Sequence, residues 1–265
     1  MPELFFQDYP GPPDAVPLAV LHGLFGSSTN WRGAARRLGT RRRVLAMDMR
    51  NHGRSFNDGE MSYPVMARDV LDTLDGQGID RADLLGHSMG GKAAMACALE
   101  HPDRIDRLIV VDIAPVVYTH TQLPLVEAMM ELDLAPLRSR RRADEALAVS
   151  VGDEAVRRFL LQSLEQGEDG YRWRLNLPAL KRAMGDLVGF PDLDGRAYDE
   201  PTLFLYGADS DYVKDDYRPR IERYFPNAEY RAIANAGHWV HVDQPAALIE
   251  AVEAFLSRTS QAGSD

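Results

Sequence analysis

Short apolar runs recur along the chain near Leu4, Val16, Val44, Ala82, Leu108, Leu203 and Glu229. Over most of the chain they alternate with longer stretches of helical periodicity, which is the pattern of strand–helix–strand units. The pattern predicts an α/β fold, a mostly parallel sheet with helices on both faces. The alternation stops after Pro115 and resumes at the strand Thr202 to Tyr206. Between these points Leu123 to Leu134, Ala143 to Val151, Glu154 to Leu164 and Pro178 to Leu187 read as amphipathic helices. This interval is expected to be an inserted helical cap that restricts access to the core. The expected division is residues 1–114 for the first part of the core, 115–198 for the cap and 199–258 for the second part of the core. Residues 259–265 form a short polar tail expected to fray.

The apolar run Ala82 to Leu85 leads into Gly86-His87-Ser88-Met89-Gly90, and the chain then continues as a good helix former from Lys92 to Leu99. A strand that turns into a helix within two residues forces the central residue into a strained conformation. The flanking glycines remove the side chains that would obstruct it. Ser88 is thereby presented as a nucleophile. A lone serine is a poor nucleophile at neutral pH, so a histidine base and an orienting carboxylate are expected downstream. His238 follows a late strand, Ala228 to Ala234, and precedes a terminal helix from about Pro245 to Ser257. It is the expected base. His241 is read as a helix-entry or pocket-wall residue, because only Asp243 stands near the pair as a further metal ligand.

The carboxylate is less determined. After the strand Thr202 to Tyr206, the pattern G-x-x-D-x-x-V would place aspartate at 210, where this chain has Ser210. Asp209 and Asp211 flank that position. Asp112, directly after the apolar run Leu108 to Val111, is the other candidate, since a charge at a buried strand end is costly unless paired. On these grounds Asp112 is preferred, with Asp211 and Asp209 as competitors. The oxyanion hole needs two backbone N–H groups. Met89, after the nucleophile, supplies one. Leu24, in the loop His22 to Ser28 after the second apolar run, supplies the other, with Phe25 as the fallback. His22 is read as holding that loop rather than as a base.

Forty acidic residues against thirty basic give a net charge of −10, which argues against nucleic acid as a partner. With Cys97 as the single cysteine, no intramolecular disulfide or cysteine-based metal site can form. No run approaches the roughly twenty apolar residues of a membrane span. The first residues, Met1 to Asp8, lack the basic and apolar regions of a secretory signal, so a cytoplasmic location is expected. Within the cap, Arg138 to Arg142 is the one dense basic run. It is either a solvated helix entry or a docking patch for the phosphates of coenzyme A.

Several motifs together carry a family resemblance. They are His22-Gly23-Leu24-Phe25-Gly26-Ser27, Asp48 to Ser55, Gly86 to Lys92, Asp112-Ile113-Ala114-Pro115 and Ala236 to His241. In these the chain resembles the YbfF-type esterases of the α/β-hydrolase superfamily over nearly its whole length. The resemblance implies an acid after the earlier strand, hence Asp112, and hydrolysis of carboxylic esters or acyl thioesters without a cofactor. Ser88, Asp112 and His238 are then the catalytic set, with Leu24 and Met89 as oxyanion donors. Phe25, Met129, Phe159, Trp173 and Trp239 are candidate contacts to the acyl substrate. No metal or cofactor is expected. Other chemistry on the same residues (lactonase, C–C hydrolase or perhydrolase) and a non-catalytic receptor for small molecules are the alternatives, and oligomeric state is not legible.

Overall fold

The structure is a computed structural model that describes residues 2–168 and 170–258. The expected tail at 259–265 lies outside them. The strands are β1 (Phe6–Tyr9), β2 (Leu18–Leu21), β3 (Val44–Met47), β4 (Ala82–His87), β5 (Ile105–Val111), β6 (Leu164–Gly167), β7 (Gly170–Trp173), β8 (Thr202–Gly207) and β9 (Ala228–Ile233). Seven of them form one sheet in the order β1-β3-β2-β4-β5-β8-β9, in which only the β1–β3 pairing is antiparallel. Successive residues of each central strand serve opposite layers. Ala19 and Leu21 pack into one core cluster while Leu18 and Val20 pack into the other. This double burial explains the uninterrupted apolar runs of the sequence.

The helices are α1 (Arg32–Leu38), α2 (Tyr63–Gly76), α3 (Met89–Glu100), α4 (Leu123–Glu131), α5 (Arg140–Leu147), α6 (Glu154–Leu160), α7 (Leu177–Val188), α8 (Arg218–Tyr224), α9 (Val240–Asp243) and α10 (Pro245–Leu256). Helices α2 and α3 cover one face of the sheet, and α1 and α10 cover the other. Cys97 is fully buried on α3, where burial pushes its thiol up to about 12. Among the described residues, no helix is long and apolar enough to cross a membrane.

Between β5 and β8 the chain leaves the sheet and builds α4 to α7. It also builds a two-stranded hairpin of β6 and β7, which the helical reading of the sequence did not foresee. Helix α6 stops at Leu160, passes through one 3₁₀ turn and enters β6 at Leu164. Four-residue strands are too short to show a period of two, so the apolar spacing of 154–164 reads as one longer helix. The expected helix at 143–151 instead starts at Arg140, because Ser139 caps it by accepting the Arg142 amide.

The insertion is fastened to the core by main-chain contacts. Gly53 N–H donates to Arg174 O, Asn176 N–H donates to Asn51 O, and His52 bridges Leu175. A charged tie adds to these. Lys92, on the second turn of α3, is almost wholly buried, and its ammonium donates to the carbonyls of Val116 (3.0 Å), Val188 (3.0 Å) and Gly189 (2.5 Å). Val116 lies where the chain enters the insertion, and Val188 and Gly189 lie at the end of α7. One side chain therefore clasps both crossings. Burial draws the Lys92 ammonium down to about 7, and the faces of Tyr118 (4.8 Å) and Tyr63 (5.8 Å) flank it. Lys92→Met removes the ammonium donor from all three part-buried carbonyls and leaves those of Val116 and Gly189 without it, while Val188 O keeps the Tyr118 amide. Its expected cost is about 1–3 kcal/mol, measured as a lower urea midpoint.

Candidate active site

The turn between β4 and α3 places Ser88 at φ 52° and ψ −118°, a conformation that L-residues rarely adopt and that is held only where the surroundings enforce it. The enforcement is visible on both sides. Ser88 N–H donates to Val111 O on β5 (3.0 Å), and Lys92 N–H donates to Ser88 O (3.0 Å). A Cβ on Gly86 would overlap the Gly90 carbonyl, and one on Gly90 would lie 2.5 Å from the carbonyl oxygens of Leu21 and His22. The elbow therefore packs directly against the end of β2.

Three side chains join through hydrogen bonds at the carboxyl ends of the strands. His238 Nε2 lies 3.1 Å from Ser88 Oγ, and His238 Nδ1 lies 2.7 Å from Asp112 Oδ2. Asp112 follows β5, is fully buried and sits at φ 53°. Its Oδ1 accepts the Gly207 amide (3.1 Å), and its Oδ2 also accepts the Ser210 hydroxyl (2.6 Å). Ser210, which occupies the position where the late-loop pattern would carry an aspartate, thus donates to the carboxylate supplied from the neighbouring strand. The competitors are placed elsewhere. Asp211 is exposed and ion-paired with Lys214 (3.1 Å), and Asp209 is exposed.

The loop after β2 supplies amides beside Ser88. The Phe25 amide, the fallback oxyanion donor, is already spent on His52 Nε2 (3.2 Å). Among the described residues, no acceptor takes the Leu24 or Met89 amide. Two buried imidazoles hold this loop. His22 lies between the Gly23 carbonyl (Nδ1, 2.8 Å) and the Met49 amide, which donates to Nε2 (2.9 Å). His52 lies between the Arg50 carbonyl and the Phe25 amide in the same way. Each therefore carries its proton on Nδ1. Burial lowers both, His52 to about 3, so they are neutral struts.

Other imidazoles crowd His238. His87, in the elbow itself, donates from Nε2 to the His238 carbonyl (2.8 Å) and so ties the His238 backbone to the Ser88 turn. Its histidine identity within G-x-S-x-G was the available sequence signal. Burial holds it well below its ordinary value. His241 stacks on Trp31 (ring centroids 4.6 Å apart) and is drawn down to about 4, first by burial and then by His238. Asp243, the further ligand a metal reading would need, accepts the Gly237 amide (2.9 Å). Among the described residues, no group of three or more metal-ligating side chains is arranged around a common point.

A largely apolar cavity of about 200 Å³ opens over Ser88. Its floor includes Leu24, Phe25 and Trp239, and the insertion contributes Leu125, Phe159 and Leu187. Phe159 meets Trp239 across the rim (5.2 Å), and Asn30 Nδ2 donates to Gln162 Oε1 there (2.7 Å). Two of the expected contacts lie elsewhere. Met129 is buried on α4, and Trp173 Nε1 donates to the Met129 carbonyl (3.0 Å). Both pack the interior of the insertion, the ordinary fate of an apolar stripe on a helix. The basic run is also engaged. Arg140 donates to the Leu161 and Leu164 carbonyls, while Arg141 and Arg142 both pair with Glu145.

The family model described as the alpha/beta hydrolase fold matches residues 16–245. The chain belongs to this family. It is 41% identical to the esterase YbfF of Escherichia coli over 245 residues, covering 91% of this chain and 93% of that protein. It is 40% identical over 261 residues to a zebrafish (Danio rerio) protein named sn-1-specific diacylglycerol lipase ABHD11, covering 96% and 82%. Among solved structures, a marine microorganism esterase superimposes with a TM-score of 0.91 at 36% identity, covering 96% of this chain and all of that one. The α/β-hydrolase relatives thus include esterases and a lipase, and the shared architecture extends across both the sheet and the insertion.

Proposed function

We propose that this α/β hydrolase cleaves carboxylic esters and acyl thioesters through an acyl-enzyme on Ser88. The observation that carries the reading is the continuous hydrogen-bonded line from buried Asp112 through His238 to Ser88. His238 Nε2 takes the Ser88 proton as Oγ bonds to the acyl carbon, and Asp112 fixes the proton on Nδ1 and stabilises the imidazolium. The unengaged amides of Leu24 and Met89 receive the oxyanion. His238 then protonates the departing alcohol or thiol, and water, deprotonated by the same imidazole, releases the carboxylic acid. The insertion at 115–198 serves as the cap. With Phe25, Phe159 and Trp239 it lines the acyl side of the cavity. A cavity this small favours short acyl chains. We also infer a cytoplasmic location, for which the reduced, buried thiol of Cys97 is suited.

The test is turnover of p-nitrophenyl esters from acetate to palmitate, with acyl-coenzyme A and an acylglycerol in parallel. The expected result is hydrolysis of the short esters with a falling rate beyond them. No turnover of any of these acyl donors would overturn the reading. Because His22, His52, His87 and His241 are all held low, they are neutral through the working range. With a chemistry-limited ester the rate is expected to fall on the acid side, because the base must be neutral to take the Ser88 proton. A flat profile in a stopped-assay pH series would remove His238 from that role.

A further inference from the structure

We propose that Tyr212 is a positioning residue for the base, its ring face stacked on His238 so as to hold the imidazole in line with Ser88 and to favour its charged form during the reaction. The inference rests on the reading of His238 as general base. The two ring centroids are 3.9 Å apart with planes inclined by 22°. On another side His238 meets the ring of His87 (4.7 Å, 42°), so the imidazole is confined by aromatic neighbours while its two nitrogens are aligned with Asp112 and Ser88.

Tyr212 is itself fixed at several points. Its carbonyl accepts the Tyr118 hydroxyl (2.6 Å), whose oxygen accepts the Ala114 amide (2.9 Å) two residues after Asp112. Its hydroxyl meets His120 Nε2 (2.8 Å), and its amide donates to Ser210 Oγ (3.3 Å), the hydroxyl that is bound to Asp112. The loop after β8 therefore does more than support the carboxylate. It delivers an aromatic face onto the group that must become a cation. An aromatic face attracts a cation within about 6 Å more strongly than it attracts the neutral ring, so the contact strengthens as the proton leaves Ser88.

The titratable and charged groups facing His238 are Asp112 after β5, Ser88 and His87 at the elbow, Tyr212 after β8 and His241 on α9, with His120 beyond Tyr212. Burial is the first cause that lowers His87, His241 and His120, which leaves Asp112 as the charged neighbour.

The experiment compares wild type, Tyr212→Phe and Tyr212→Leu with p-nitrophenyl acetate across pH 5 to 9, with Ser88→Ala as the control. For Tyr212→Leu the expected result is a kcat lower by about tenfold at nearly constant KM, with the acid limb of kcat/KM displaced to lower pH by about 0.5 to 1 unit. Tyr212→Phe, which keeps the ring, should retain most of the rate and the wild-type limb. If the leucine variant fails to fold, Tyr212→Met reads the same quantities. An unmoved limb with kcat within twofold of wild type overturns the proposal, as does a phenylalanine variant as impaired as the leucine one. An inactive wild type, or activity that survives in Ser88→Ala, would instead overturn the acyl-enzyme reading itself.

Discussion

Replacing Ser88 by alanine is expected to lower kcat for p-nitrophenyl acetate by about 10⁵-fold or more, leaving only what the oxyanion amides and binding supply. The magnitude follows from Ser88 carrying, among the described residues, the hydroxyl bonded to His238 Nε2. Thr29 and Ser27 lie at the outer end of the loop after β2 and bond to each other, and Ser210 is committed to Asp112. Stability should be nearly unchanged, because alanine meets the same backbone strain at φ 52° and loses one hydrogen bond to a partly exposed imidazole. A burst assay separates the outcomes. Wild type should release a stoichiometric pulse of p-nitrophenol wherever deacylation is slow, and the variant should release none. Residual turnover within tenfold of wild type would mean that the chemistry passes through another group.

The second large effect concerns the carboxylate. Asp112→Asn is expected to lower kcat by about 10⁴-fold with an intact fold, whereas Asp211→Asn should change it less than twofold. The asparagine amide can donate where the aspartate only accepted. His238 would then turn its proton-free nitrogen toward residue 112 and carry the proton on Nε2, where it cannot take one from Ser88. Asp211 is 93% exposed on its side chain and its partner Lys214 is also at the surface, so its charge is screened. Steady-state kinetics on the two variants, with melting curves to check folding, decide between the positions. The reverse order of effects would move the acid to the loop after β8.

How legible each part was depends on how local its cause is. The elbow is a local device. Glycines on either side of Ser88, a strand before it and a helix after it are all written within a short stretch of chain, and the strained φ follows from them. The sheet strands were equally readable, because burial on both faces removes polar residues altogether. The carboxylate was ambiguous because two adjacent parallel strands, β5 and β8, end side by side and either can present an acid to the same imidazole. Spacing along the chain does not say which. Ser210 reads as a gap in a pattern, and its bond to Asp112 across ninety-eight positions becomes visible only in three dimensions. Met129 and Trp173 failed as pocket residues for the opposite reason. An apolar side chain on an inserted helix serves a lining or an interior equally well, and the β6–β7 hairpin, too short to be seen as strands, turns Trp173 inward. Tyr212 carried no signal at all, since stacking on a ring twenty-six residues later leaves no periodicity.

The ammonium of Lys92 gives the inserted segment and the helix after Ser88 a common anchor. Exchange of this segment between relatives is therefore not a neutral cut-and-paste. A chimera must carry main-chain carbonyls at both seams into the reach of position 92, or bury an unanswered cation a few residues from Ser88. Recombination points chosen inside the insertion, beyond Val116 and before Val188, keep the clasp whole. New pocket walls can then be installed in this scaffold while the machinery beneath them stays in register.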